Sequence, residues 1–132
     1  MRLKDLEIFV VGTPPGTWGG RYFIFVKVTS DDGITGFGEV YAASVGPTAM
    51  RAIIEDVFAR HMAGESAENV ELMFRRAYSA GFTQRPDLSV MGAFSGLSDS
   101  FDGPTHHSIT DIGLPVAQMC AHHLQSSRRK QK

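Results

Sequence analysis

Apolar residues alternate weakly through Leu3, Leu6, Ile8, Phe9, Val10 and Val11, which predicts a strand close to the start of the chain. The run Thr13-Pro14-Pro15-Gly16-Thr17-Trp18-Gly19-Gly20 then breaks any regular element and reads as a loop. Arg21 to Thr29 is dense in β-branched and aromatic residues, and Ser30-Asp31-Asp32-Gly33 offers turn chemistry with a glycine for positive φ. A hairpin is therefore expected, its return strand running from Ile34 to Tyr41. Within that strand Gly36 and Gly38 leave gaps that predict close approach by another backbone or element.

The period then changes from two to 3.6. Pro47 suits a first helical turn, and Met50, Ile53, Ile54, Val57, Phe58 and His61 or Met62 follow at three- and four-residue spacing until Gly64. A second helix is expected with Ser66 as its N-cap and Val70, Met73, Phe74, Ala77 and Tyr78 on one stripe before Gly81. A third starts near Pro86-Asp87 and carries Leu88, Met91, Phe94 and Leu97. Strands first and helices second predict the α+β class: a three-stranded antiparallel meander followed by about three helices packed on one sheet face.

After Leu97 the periodicity stops. Residues 98–132 hold four of the five histidines, Phe101 as their one aromatic residue, and the basic cluster Arg128, Arg129, Lys130 and Lys132. Two segments follow: an ordered domain over 1–97 and a divergent tail over 98–132, expected to be largely disordered except for a short helix within Ile112–Leu124.

Composition narrows the function classes. The 13 Lys and Arg against 14 Asp and Glu give a net charge of −1, so no basic field is available to hold nucleic acid. The single cysteine, Cys120, allows no internal disulfide, the first residues carry no apolar secretory stretch, and no apolar run approaches the ~18 residues of a membrane span. A soluble protein of a reducing cytoplasm, without a membrane partner, is the expectation.

Candidate chemistry is sparse. Gly16-x-x-Gly19-Gly20 leads into a strand, whereas phosphate-binding loops lead into a helix whose first amides meet the anion. The loop gains interest from Trp18 and Arg21, since an indole suits a sugar face and a planar guanidinium suits a carboxylate. His106-His107, His122-His123 and Cys120 lack a recognised zinc spacing, so no metal site is assigned to them. His61 reads as a cap or surface residue. Asp31-Asp32 and Glu55-Asp56 read as solvated turn and helix-face pairs, while Glu39, at a strand end among small residues, is a candidate to face a ligand or a partner domain.

Gly33-Ile34-Thr35-Gly36-Phe37-Gly38-Glu39, the Trp18 loop and Met91-Gly92-Ala93-Phe94-Ser95-Gly96-Leu97 together resemble the N-terminal capping domain of the mandelate racemase and muconate lactonizing enzyme branch of the enolase superfamily, nearest its sugar-acid dehydratases. The resemblance covers residues 1–97. It implies a two-part enzyme in which a β/α barrel carries Mg²⁺ and the acid/base residues that remove the proton α to a carboxylate, while the cap closes over the substrate. It also implies that the loops Thr13–Arg21 and Tyr41–Val45 meet the substrate. Within them Trp18 would be a stacking surface, Arg21 a carboxylate or hydroxyl donor and Tyr41 a hydrogen-bonding wall.

The chain departs from the family after Leu97, where Ser98-Asp99-Ser100-Phe101-Asp102-Gly103 replaces the Ala-x-Trp-Asp type of helix that leads into the barrel. No Lys-x-Lys base motif and no series of acidic metal ligands follows. The expectation is a truncated cap, from a shifted reading frame, with no catalytic residue, metal ligand or cofactor of its own. The alternative is an interaction module that docks on a full-length dehydratase paralogue. Either form is expected to self-associate through apolar surface that a barrel would otherwise cover.

Overall fold

The alternating N-terminal pattern becomes three antiparallel strands, β1 (Leu3–Gly12), β2 (Tyr22–Ser30) and β3 (Thr35–Val40), ordered β1-β2-β3 in one sheet. The computed structural model describes residues 1–12, 22–40, 45–79 and 87–101, all within one compact unit, Met1–Asp102. Leu6, Ile8 and Val10 stand opposite Val28, Val26 and Ile24, and Val40 stands opposite Ile24, so one parity of every strand turns to the same face. That face is the core: Ile24, Val26, Val28 and Val40 are buried. Three helices cover it, α1 (Pro47–His61), α2 (Val70–Ser79) and α3 (Leu88–Asp99). The α+β arrangement expected from the pattern is the one found.

Each helix shows its sequence logic. In α1, Met50, Ile54, Val57, Phe58 and His61 form the buried stripe. Gly46 precedes the helix in an extended conformation, and Pro47 sits where a missing N–H costs nothing. Gly64, at φ 79°, turns the chain away just after it. In α3, the Asp87 carboxylate accepts from the amides of Ser89 (2.8 Å) and Val90 (3.1 Å), satisfying two donors that the first turn leaves free. Burying a residue such as Ile54, Met73 or Leu97 contributes roughly 1.5–3 kcal/mol each relative to exposure, and that surface holds the helices to the sheet.

Two residues differ from expectation, and one strand end is untested. Ser66 is not the cap of α2: its backbone pairs with Arg2, and the first helical bond runs from the Met73 amide to the Asn69 carbonyl, which makes Asn69 the N-cap. His61 is neither a cap nor a surface residue but is 8% exposed, because it continues the buried stripe of α1. The return strand spans Thr35–Val40, and Tyr41, like the tail expected beyond Leu97 from Asp102 onward, lies outside the described residues. Helix α3 runs on to Asp99.

The end of the sheet that carries the turn is knitted to the α1–α2 connection. Gly33 has φ 84°, and the Ile34 amide donates to Ser30 Oγ at 3.0 Å. The Arg2 amide donates to Asp31 Oδ1 at 2.8 Å, Arg2 Nη1 donates to the Gly64 carbonyl at 2.8 Å, and the Gly64 amide donates to the Leu3 carbonyl at 2.7 Å. The Ser30 hydroxyl donates to Asp32, and this bond is the main reason the Asp32 carboxyl titrates below the usual range. The paired acids Asp31 and Asp32 thus close a turn, as their spacing suggested.

Candidate functional site

The opposite end of the sheet is where chemistry can gather. Gly12, the last residue of β1, pairs with Tyr22, the first of β2, and Val40, the last of β3, pairs with Ile24. Segments 13–21 and 41–44 therefore both leave the sheet at the same end. Trp18, Arg21 and Tyr41 belong to those segments and lie outside the described residues, so it is their flanks that are described.

Those flanks are joined. Tyr22 shares the inward parity of Ile24, is partly buried, and its hydroxyl donates to the Val45 carbonyl at 2.5 Å. Val45 packs against the core and is followed by Gly46 and Pro47, so the contact lies at the entrance to α1. Nothing in the pattern of hydrophobic positions distinguishes Tyr22 from its strand neighbours. Its role needs a chain partner 23 residues away.

Glu39 has the outward parity of β3, stands opposite Phe25, and is exposed. It shares the outer face with Phe9, Val11, Phe23, Phe25 and Phe37, and with an ion pair of 2.5 Å between Lys27 and Glu7. No described helix covers this face. Phe23 and Phe25 stack with ring centroids 6.4 Å apart, and Phe23 is 41% exposed. Glu55 and Asp56 are held on the solvent side of α1 by Arg51 and Arg60 at 3.0 and 2.6 Å, exposed pairs that contribute little.

A groove of about 560 Å³ between α2 and α3 is lined by Val70, Phe74, Met91 and Phe94 together with Glu68 and Glu71. His61 Nε2 has no hydrogen-bond partner among the described residues, and burial, with Arg60 next, lowers its pKa; Asp56 acts in the opposite sense. Among the described residues no three His, Cys, Asp or Glu side chains converge as metal ligands.

Residues 9–99 match the family described as mandelate racemase / muconate lactonizing enzyme, N-terminal domain. The chain belongs to this family. The mandelate racemase/muconate lactonizing enzyme from Sulfitobacter sp. is 70% identical over 76% of the chain and 25% of its own, with a TM-score of 0.71. A mandelate racemase/muconate lactonizing enzyme-like protein from Roseovarius sp. TM1035 is 69% identical over 76% of this chain and 25% of its own, with a TM-score of 0.71. A dehydratase candidate from Zymomonas mobilis ZM4 is 30% identical over 76% and 25% of the two chains, with a TM-score of 0.64. Among curated proteins none matches. The chain spans about a quarter of the length of these solved structures. Among the described residues no helix is long and apolar enough to cross a membrane.

Proposed function

We propose that this domain is the substrate cap of an acid-sugar dehydratase, covering a substrate whose α-proton is abstracted by residues outside it. The observation that carries the reading is the common departure point of segments 13–21 and 41–44 beside Gly12, Tyr22 and Val40. Its family membership and its similarity to a dehydratase candidate support the dehydratase part of this reading. In this reading Trp18 stacks on the sugar, Arg21 binds its carboxylate or a hydroxyl, and Tyr41 hydrogen bonds to it, while the closed cap keeps water from the reacting carbon. The domain orients and shields; it moves no proton.

Two experiments test this. The purified chain, given Mg²⁺ and a panel of aldonic and aldaric acids, should form no 2-keto acid, and turnover would refute the division of labour. A chimera carrying residues 1–99 in place of the matched quarter of the Sulfitobacter protein tests the substrate contact. In it, Arg21→Ala should raise KM for its acid-sugar substrate about tenfold or more, the usual effect of losing a charge-assisted hydrogen bond. An unchanged KM and kcat would remove Arg21 from the site.

A second reading, an interaction module that docks on a full-length dehydratase paralogue, is favoured by one observation, the aromatic outer face of the sheet around Phe23 and Phe25. Capture of a stoichiometric dehydratase from the source cell would support it. Recovery of the chain alone would oppose it.

A further inference from the structure

Val70, Phe74 and Tyr78 recur at four-residue steps on α2 and so share one face, with Phe74 42% and Tyr78 40% exposed. The Phe74 ring lies 5.8 Å from that of Tyr78 and meets the ring of Phe94, on α3, edge-on at 5.7 Å. Aromatic surface therefore runs along α2 and across to α3, where Met91 lines the same groove of about 560 Å³. Among the described residues two ionisable side chains line that groove, and both are acidic, Glu68 and Glu71. Glu71 is paired with Arg75 at 2.8 Å, whereas Glu68 is exposed and enters no ion pair among the described residues. The outward face of α1 is unlike this: it carries the charged pairs Arg51–Glu55 and Asp56–Arg60, which water solvates well.

We propose that the α2–α3 groove docks a basic amphipathic helix of a protein partner, its apolar anchors lying over Phe74 and Met91 and its flanking Arg or Lys meeting Glu68 and Glu71. Single exposed apolar residues are ordinary, but adjoining rings on two neighbouring helices form the kind of patch that marks an interaction site. A helix fits because the groove is itself formed by two helices, whose ridges accept those of a third. Val70 to Tyr78 spans roughly 12 Å at the helical rise per residue, about two turns of such a partner. The sign of the charge follows from the lining: Glu68 has no internal cation to neutralise it, and a guanidinium beside it can also lie on the exposed face of an aromatic ring. The groove is built from α2 and α3 alone, so the proposal stands or falls apart from the cap reading.

The whole chain, labelled with ¹³C at its methionine methyls, is titrated with a synthetic amphipathic peptide of about four helical turns, Leu on one face and Arg along both flanks. A second peptide carries Glu in place of every Arg. The arginine peptide should shift the Met91 methyl and leave that of Met50, buried in the core, in place, while the glutamate peptide should shift neither. Phe74→Ser should weaken binding about tenfold or more, as removal of a central aromatic anchor does. Glu68→Lys, a change at an exposed position that leaves the packing intact, should weaken it about fivefold at low salt, and added salt should narrow that difference. Absence of binding by the arginine peptide, equal binding of the two peptides, or affinity unchanged in both variants would overturn the proposal. A Met91 shift that follows the concentration of the chain without peptide would overturn it as well, by making a second copy the occupant.

Discussion

The carbonyl oxygen of Gly96, in the third turn of α3, lies where a Cβ on Gly38 of β3 would stand. The contact is reciprocal, since a Cβ on Gly96 would meet Val40 Cγ2 and the Glu39 carbonyl inside the 3.0 Å limit that real Cβ atoms keep. One turn further, the Ser100 carbonyl occupies the corresponding place beside Gly36. At Gly36 and Gly38, on the inner parity of β3, helix and strand are therefore in backbone contact with no side chain between them. Gly36 and Gly38 were expected to admit such an approach; Gly96 is its counterpart on the helix.

Alanine at Gly38 has no room, and what it meets is main chain, which cannot swing aside. Gly38→Ala should cost about 3 kcal/mol or more, beyond ordinary overpacking, or abolish folding. Gly12→Ala, where a Cβ meets nothing within 4 Å, should fold normally and provides the control in urea unfolding. A loss below about 1 kcal/mol at Gly38 would show that α3 can lift from the strand.

His61 makes the domain acid-sensitive in a defined window. Its folded-state pKa lies below the ordinary 6.5, chiefly through burial, with Arg60 and Arg76 also opposing protonation and Asp56 favouring it. Well above pH 6.5 both folded and unfolded forms are neutral, and the group adds no pH dependence. As pH falls below 6.5 the unfolded chain takes up the proton first, so stability declines, at most about 1.4 kcal/mol per pH unit, until the folded pKa is reached. The urea midpoint should fall between pH 7 and pH 5, and His61→Met should flatten that decline. Equal slopes in the two proteins would place the titration elsewhere.

The cap of α3 is separable from its packing. Asp87→Ala removes the acceptor for the Ser89 and Val90 amides and should cost about 1 kcal/mol, while Asp87→Asn should restore most of it. Thermal unfolding of the three proteins checks the order wild type, Asn, Ala.

The outer face of the sheet should drive association. Phe9, Phe25 and Phe37 are partly exposed beside Phe23, and no described helix covers them. Dimers or larger species are expected at tens of micromolar in analytical ultracentrifugation, and Phe23→Ser should shift them toward monomer. A monomeric wild type would count against an interface on this face.

The order and kind of the elements were determined by local pattern, because a period of two from Leu6 to Val10 and a period near 3.6 from Met50 to Phe58 each match only one regular backbone. The turn at Ser30–Gly33 and the start of α1 at Pro47 were equally local, since a glycine at positive φ and a proline in a first turn act through their own dihedrals. What the tertiary structure decided depends on partners distant in sequence. His61 reads as a helix end until α1 is laid on the core, Ser66 reads as a cap until Arg2 pairs with it, and Gly96 is one small residue among several until it meets Gly38. Tyr22 is the same case at the candidate site: its side chain fits any strand, and only the fold brings the Val45 carbonyl within reach of its hydroxyl. Short-range dihedral and periodicity preferences are written residue by residue, whereas contacts between elements exist only once packing has chosen which faces meet.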